Sequence, residues 1–368
     1  MAHPRQKRLR RSALPGLSLG VALTLAAALT GVGPVGAASR PFGDARILAR
    51  VPTPPGFPEG IAVSGNLLFV SGPATFGTAG QGPSKVLMYH VGTGTLLKTL
   101  DTKGENLAQE HANSSIALDR AVNVYVLNTQ LGTYRVSVAG TQKAYGAPFP
   151  DLPACPNVGA CSPTPFNAPP LPNDIAFDRL GNAYITDSFQ ATIWRLPAGG
   201  GAPQIWFQDP RLASTTFGPN GIRLDPARTK VYFTVTGDLA GKAFVYTLPL
   251  VAHPAAADLK VFHEYTNGDL PDGIAFGATG RLYVAIATPF ASGVSILNAN
   301  GTEAVRLANQ GNPIFPYDSP ANIAFDGKGS ILLTNHAFVT GVEHPEQFTV
   351  LDVWVGDNGS PLEKPFIP

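Results

Sequence analysis

A short hairpin-like segment recurs six times along this chain and constrains its fold more than any other feature. The copies align on the residue two places before an isoleucine, and we call these residues the anchors. Successive anchors are separated by 55, 59, 47, 52 and 49 residues. In chain order the anchors are Glu59, Ser114, Asn173, Asn220, Asp272 and Ala321.

Each copy contains a short apolar strand, a turn with Gly, Asn or Asp, and a second strand rich in β-branched and aromatic residues. This pattern is typical of a β-hairpin. A period near fifty residues with only strand signals predicts an all-β fold, a six-bladed β-propeller with four-stranded blades around a central channel. The chemistry of the anchors, given below, predicts that this is a central metal-binding channel. Because the innermost strand of every blade begins at the same end of the channel, we expect the anchors to converge.

The N-terminal residues 1–37 have the pattern of a signal peptide. A basic region from Arg5 to Arg11 precedes an apolar run from Leu17 to Leu29, and small residues follow up to Ala37. We predict cleavage after Ala37 or Ala38 and a secreted or periplasmic protein. The apolar run is short for a membrane span, and none is expected elsewhere.

We expect residues 38–368 to form a single propeller domain. The segments 45–51 and 347–356 both read as strands, so strands from opposite ends of the chain are expected to pair and close the ring. A proline-rich loop, 146–171, should lie near the channel mouth and carries the two cysteines, Cys155 and Cys161. In an exported chain this spacing favours a disulfide, with free thiols as the alternative.

Charge and composition exclude some partners. Removing five basic residues with the signal peptide leaves 21 basic and 25 acidic residues, a net charge of −4. Nothing in this balance predicts nucleic-acid binding. We expect a monomer that binds a small molecule.

Four of the anchors offer oxygen donors and predict a metal site. Glu59 and Asp272 supply carboxylates, and Asn173 and Asn220 supply amide carbonyls. Hard oxygen donors with two negative charges suit Ca²⁺, or another divalent cation, better than a soft metal. The alternative is that Asn and Asp serve only as turn residues ahead of a strand, although Glu59 is not a turn former.

The blade motifs PEGIA, PNDIAFDRLGNAYITDS, PNGIRLD and PDGIAFGATGRLYVA resemble those of the SMP-30/gluconolactonase/LRE-like region family of six-bladed propellers. The resemblance covers residues 55–340 and keeps the order Glu, Asn, Asn, Asp. It implies that Glu59, Asn173, Asn220 and Asp272 bind a divalent metal and that Asp272 is also the general base. No residue clearly matches the arginine by which sugar-lactone members of the family hold their substrate.

Two histidines are further candidates for catalysis. His111 lies just before the second anchor, roughly where the related paraoxonases carry a catalytic histidine, although the local spacing differs. His336 follows the last inner hairpin, at a strand end expected near the channel. Either could carry a proton, or each could be only a hydrogen-bonded polar residue.

The sequence therefore predicts an exported, calcium-dependent lactonase or esterase that opens a small lactone or related ester. The alternative is a propeller scaffold without enzymatic activity, similar to NHL modules, in which the ion is structural and the loop face binds a ligand or protein.

Overall fold

The described residues, 40–156, 159–266 and 268–367 of a computed structural model, form short strands connected by loops. The strands of the N-terminal half are β1 (Ala45–Arg50), β2 (Ile61–Ser64), β3 (Leu67–Gly72), β4 (Lys85–His90), β5 (Leu96–Asp101), β6 (Asn113–Leu118), β7 (Val124–Asn128), β8 (Gly132–Val136), β9 (Gln142–Gly146), β10 (Pro172–Phe177), β11 (Ala183–Asp187), β12 (Thr192–Leu196) and β13 (Gln204–Gln208).

The C-terminal half continues the same plan. Its strands are β14 (Pro219–Leu224), β15 (Lys230–Val235), β16 (Ala243–Pro249), β17 (Lys260–Tyr265), β18 (Pro271–Phe276), β19 (Leu282–Ile286), β20 (Gly293–Leu297), β21 (Glu303–Ala308), β22 (Pro320–Phe325), β23 (Ser330–Asn335) and β24 (Thr349–Trp354). Three single-turn 3₁₀ helices lie between strands, at Pro210–Leu212, Ala256–Asp258 and Pro345–Gln347.

These strands form six antiparallel sheets of four strands each within the described part of the chain. Five sheets use consecutive strands, and the sixth has the order β1-β24-β23-β22. The innermost strands, β2, β6, β10, β14, β18 and β22, each contact the next, and β22 contacts β2. The fold is therefore the predicted six-bladed β-propeller, and the predicted pairing of the first strand with the last is confirmed.

The hydrophobic core is divided among the blade interfaces. Each of six clusters of buried side chains joins two adjacent blades, as Trp206 and Phe207 of the third blade do with Phe233 and Tyr246 of the fourth. Middle strands are covered on both faces, so all five residues of β7 are buried and period-two alternation is lost there. The aromatic residues of the outer strands thus pack between blades.

The C-terminal segment after β24 crosses the propeller at the end opposite the anchors. The backbone carbonyls of Asn358 and Pro365 accept hydrogen bonds from Ala278 and Arg120 of two different blades. Residues Pro361–Lys364 and the inner strands enclose a cavity of only about 70 Å³. This segment therefore covers the far end of the axis.

The predicted signal peptide and its cleavage sites lie outside the described residues. Within the described part of the chain, no helix has the length and apolarity needed to cross a bilayer. Cys155 and Cys161 form the predicted disulfide.

Candidate functional site

Five of the six anchors line one cavity of about 640 Å³, which we call the site cavity. These five include all four predicted oxygen donors, Glu59, Asn173, Asn220 and Asp272. The sixth anchor, Ala321, is fully buried at the corresponding position of the last blade.

A β-bulge at the start of the inner strand sets the direction of the anchors. In the third blade Pro172 pairs with Asp187, but Ile175 pairs with Ile185, so this stretch of β10 carries one residue more than β11. The same shift occurs at the start of β6, β14, β18 and β22. Bulges re-aim side chains, and here the anchor and the residue after it occupy the bulge. The simple alternation of the sequence did not predict this feature.

The anchors Asn220 and Asp272 lie inside strands β14 and β18 and are not turn residues. The glycines that follow them permit close approach of neighbouring inner strands. A Cβ atom on Gly221 would lie 2.5 Å from the carbonyl oxygen of Asp272, and one on Gly273 would lie 2.5 Å from that of Ala321. The alternative that Asn220 and Asp272 serve only as turn residues is therefore wrong, and close backbone packing explains the glycines that follow them.

Hydroxyl groups of one blade fix the backbone of the next anchor. Thr234 Oγ1 donates to the carbonyl of Asp272 at 2.8 Å, and Thr334 Oγ1 donates to that of Glu59 at 2.7 Å. Thr186 makes the equivalent bond to the carbonyl of Asn220. These bonds satisfy the anchor carbonyls and leave the side chains to meet around the axis.

Three anchor oxygens in the site cavity are buried and have no hydrogen-bond partner among the described residues. They are Asn173 Oδ1, Asn220 Oδ1 and Asp272 Oδ1. The Asn220 amide nitrogen donates to Thr236 Oγ1 at 3.0 Å. This bond sets the orientation of the amide, so its oxygen is the atom without a partner. Buried acceptors without partners are uncommon and costly, so the arrangement fits a bound electron acceptor such as a cation.

The electrostatics of the site cavity point the same way. Burial, and then the negative charge of Asp174, raise the pKa of Glu59 to about 8. Burial, followed by the charges of Glu59 and Asp174, also raises the pKa of Asp272 well above its usual value. A cation beside these carboxylates would offset both effects.

The donor chemistry of the four anchors thus fits a hard divalent cation. No cluster of three or more His, Cys, Asp or Glu side chains with metal-binding geometry occurs among the described residues. Two of the four candidate donors are amides, so a site of this kind rests on mixed carboxylate and amide oxygens.

A buried ion pair lies directly behind the anchors, between Asp174, which follows the anchor Asn173, and Arg223, three residues after the anchor Asn220. Asp174 Oδ2 accepts from Arg223 Nη1 at 2.6 Å and from the backbone N–H of Ile222 at 2.9 Å. Asp174 Oδ1 accepts from the Ser115 hydroxyl at 2.5 Å, and Arg223 Nη2 donates to Asn322 Oδ1 at 3.0 Å. Sequence reasoning missed this network, although aligning the residue after each anchor would have placed Ser115, Asp174 and Asn322 in one layer.

His336 reaches the site cavity beside Glu59. Its Nε2–H donates to the carbonyl of Ala74 at 2.9 Å, so Nδ1, which lies 3.5 Å from Glu59 Oε2, carries the lone pair. Burial lowers the pKa of His336 to about 4. The ring is therefore neutral and presents an acceptor nitrogen to the anchor residues.

His111 also lines the site cavity, but both of its ring nitrogens face backbone carbonyls. Nδ1 lies 2.9 Å from the carbonyl of Gln109 and Nε2 lies 3.0 Å from that of Gly82. Burial opposes a charge on this ring, yet these two hydrogen bonds and the nearby charges of Glu105 and Glu110 raise its pKa. This geometry suits an imidazolium that joins two loops, and a catalytic role for His111 stays a prediction.

The proline-rich loop contributes Pro169, Pro170 and Leu171 to the wall of the site cavity. It is held against the third blade because the Gln190 side chain accepts from Leu152 N–H at 2.6 Å and donates to the Pro150 carbonyl at 3.0 Å.

Comparison with known proteins finds similarity in structure but not in sequence. No family model matches the chain, and no curated protein matches it. The structure is similar to regucalcin, a calcium-binding protein from Agrobacterium tumefaciens, with a TM-score of 0.60 and 15% identity over 89% of this chain and 98% of that one.

Two further solved structures share the fold. A gluconolactonase from Xanthomonas campestris matches with a TM-score of 0.54 and 17% identity, covering 85% of this chain and 90% of that one. Virginiamycin B lyase from Staphylococcus aureus matches with a TM-score of 0.52 and 14% identity, covering 84% of this chain and 99% of that one. At these identities the comparisons establish the fold, and this fold serves more than one activity.

Proposed function

We propose that this chain is an exported, metal-dependent hydrolase of the SMP-30/gluconolactonase type that opens a small lactone or related ester. The observation that carries the proposal is the meeting of Glu59 with three unpaired buried oxygens in one cavity. The structural likeness to a gluconolactonase and to calcium-binding regucalcin supports it. The predicted signal peptide and the disulfide are consistent with export.

In this proposal Glu59, Asn173, Asn220 and Asp272 hold a divalent cation, Ca²⁺ or a similar ion, through carboxylate and amide oxygens. When bound, the cation would polarise the ester carbonyl and stabilise the negative charge that develops on its oxygen. Asp272 would remove a proton from the attacking water.

The neutral ring of His336 can carry a proton between the water and the leaving ring oxygen, because its Nδ1 is an acceptor beside Glu59. The apolar cavity walls exclude bulk water around these groups and so strengthen their electrostatic interactions.

The test compares three forms of the purified mature protein. They are the parent chain, the Glu59→Gln/Asp272→Asn double variant and an Asp101→Asn control, which removes one exposed carboxylate from β5. Bound metal is measured, and a lactone panel is assayed with and without chelator. We expect one divalent ion and chelator-sensitive lactone opening in the parent and control, and neither in the double variant.

Turnover of a verified substrate that survives unchanged in Asp272→Asn alone would contradict the role given to Asp272. A parent chain that binds the ion but opens no lactone or ester would instead favour the alternative of a non-enzymatic scaffold with a structural ion.

A second candidate function is a lyase, which His336 favours because a neutral acceptor nitrogen in the site cavity can remove a proton from carbon. In that reaction the proton passes to Nδ1, the C–O bond of the ester breaks and an alkene forms, with no water consumed. The structural likeness to virginiamycin B lyase makes this worth testing. Product formed in water enriched in heavy oxygen distinguishes the two, since only hydrolysis incorporates the label.

A further inference from the structure

The walls of the site cavity are apolar, in contrast to its floor of anchor oxygens. Phe76, Phe189, Phe217 and Phe338 line the walls together with Leu171 and Leu270. Among the described residues, His111 and His336 are the basic side chains that line the cavity. No described lysine or arginine lines it. The volume of about 640 Å³ lies within the range of roughly 300–1,000 Å³ that small-molecule sites occupy.

The four phenylalanines form a continuous row across the mouth. The ring centroids of Phe76 and Phe189 are 6.2 Å apart with nearly parallel planes, those of Phe189 and Phe217 are 5.7 Å apart, and those of Phe217 and Phe338 are 6.2 Å apart. Phe76 and Phe338 follow β3 and β23 of the adjacent first and sixth blades, whereas Phe189 follows β11 of the third blade and Phe217 precedes β14 of the fourth. The row therefore joins loops from both sides of the axis.

Two rings of this row remain open to solvent. Phe76 is 54% exposed and Phe338 is 37% exposed. Removing an aromatic ring from water lowers the free energy. An apolar ligand that covers these rings would therefore bind more tightly.

Most polar side chains of the wall already have hydrogen-bond partners, and the buried Ser319 hydroxyl is an exception among the described residues. Ser114 Oγ donates to a backbone carbonyl at 2.6 Å and Thr236 Oγ1 donates to another at 2.8 Å. Thr129 Oγ1 accepts from the backbone N–H of Ala112, and the Glu110 carboxylate accepts from backbone N–H groups of the loop after β3. A ligand with many hydroxyl groups would therefore lose hydration and find few replacement hydrogen bonds on the wall.

We infer that the site cavity takes a lactone or ester with a polar carbonyl end and an apolar body, alkyl or aromatic, in preference to a polyhydroxylated sugar lactone. The carbonyl end lies at the anchor oxygens and the apolar body lies along the phenylalanine row. This inference rests on the proposed lactone or ester chemistry for the reaction, but the apolar ligand class stands on the walls alone.

The first experiment compares lactones of one ring size. δ-Valerolactone, δ-octalactone and δ-decalactone are assayed beside glucono-δ-lactone, with the corresponding alkyl δ-lactams as analogues that are not hydrolysed. We expect kcat/KM to rise roughly two- to fourfold for each added methylene, because each one leaves water for the apolar wall. Glucono-δ-lactone should be the poorest substrate.

Binding is measured independently of turnover with phenylnaphthylamine, an apolar dye whose fluorescence rises when it leaves water. Long-chain lactams should displace the dye, and gluconate-type polyols should not. If no lactone is opened but alkyl lactams displace the dye, the proposed hydrolase function fails and the apolar ligand class is supported.

Matched variants locate the binding surface. Phe217→Ser and Phe338→Ser should each lower kcat/KM for δ-decalactone roughly fivefold or more relative to δ-valerolactone, and should weaken dye binding. Phe366→Ser is the control, since Phe366 is 73% exposed on the C-terminal segment at the opposite end. Melting temperatures of all three variants show whether each one is folded.

Three results would overturn the inference. One is a kcat/KM for glucono-δ-lactone that equals or exceeds that of δ-decalactone. Another is a folded parent chain to which neither the dye nor any alkyl lactam binds. The last is an equal loss of chain-length preference in Phe366→Ser and in the wall variants.

Discussion

At the scale of single residues, the contact between Asp174 and Arg223 joins the innermost strands of the third and fourth blades. The Asp174 side chain is fully buried and that of Arg223 is 7% exposed. Their remaining polar atoms meet Ser115 and Asn322, so the ion pair is part of a hydrogen-bonded layer. A buried ion pair adds little net stability over apolar packing, but removal of one partner leaves an uncompensated buried charge.

Arg223→Met is therefore expected to lower the free energy of unfolding by roughly 3–5 kcal/mol, measured by urea denaturation. Arg179→Met removes the same charge at an exposed position and should change stability by less than about 0.5 kcal/mol. The double variant Asp174→Asn/Arg223→Met should recover part of the loss, because the unpaired carboxylate is gone. Equal free energies of unfolding for Arg223→Met and Arg179→Met would show that the ion pair does not stabilise the packing of the inner strands.

The positions of functional side chains could be predicted from the sequence where they recur in every repeat. They could not be predicted where they depend on packing between blades. The anchors could be aligned because each precedes the same isoleucine, and the structure places Glu59, Asn173, Asn220 and Asp272 in one cavity. Arg223 also lies within a repeat, but its partner Asp174 is 49 residues away. Only the packing of the third blade against the fourth brings these two side chains into contact.

At the scale of secondary-structure elements, the hairpins were predictable and their irregularities were not. Bulges occur at the start of five inner strands, β6, β10, β14, β18 and β22. They accompany the close packing of these strands around the axis, which cannot be deduced from the sequence of one strand alone. Glycine after an anchor is compatible with both a turn and a bulged strand. The distinction therefore needed the neighbouring blade.

The C-terminal segment is an element that the repeat pattern did not predict. Its end reaches the core between the second and third blades, where Ile367 is buried although its neighbour Phe366 is exposed. Earlier in the segment, Asp357 Oδ2 accepts from the Tyr283 hydroxyl at 3.1 Å. The segment thus connects blades at the end of the axis where the site cavity does not open.

Ile367→Ala tests whether this segment contributes to stability. We expect a loss of roughly 2–3 kcal/mol in the free energy of unfolding, because buried aliphatic contacts are removed and the end of the segment can detach. Phe366→Ala, at the adjacent exposed position, should cost much less. A thermal or urea denaturation series on both variants decides the matter, and similar losses for the two would mean that the segment end is not docked.

At the scale of the whole molecule, the number of blades and the closure of the ring were predictable, and the walls of the site cavity were not. Blade number follows from a count of repeats, and closure follows from the position of an extra strand at each terminus. Phe76, Phe189 and Phe338 lie in the loops that follow the second strand of the first, third and sixth blades, but at different distances from the strand end. Aligning the repeats on the anchors therefore does not bring these wall residues into register.

The ring closes through β1, which supplies the outer strand of the sixth blade and pairs with β24 from Ala45↔Val353 to Arg50↔Thr349. Arg40, just before β1, adds hydrogen bonds of 2.8 Å to both carboxylate oxygens of Asp352. Without β1 the edge of β24 would lose its hydrogen-bonding partner, and an exposed edge strand is a template for association between chains.

A chain that begins at Val51 is therefore expected to unfold at a lower temperature than one that begins at Arg40, and to self-associate. The chain from Arg40 should elute as a monomer in size-exclusion chromatography, whereas the shortened chain should form larger species whose fraction grows with concentration. A synthetic peptide covering residues 40–50 should reverse both effects if it can occupy the vacant edge. Because closure joins the first and sixth blades, its loss should also weaken binding of the proposed ion at Glu59, which lies next to that junction. A shortened chain with unchanged melting temperature and unchanged elution would show that the five other blade interfaces are sufficient to keep the ring closed.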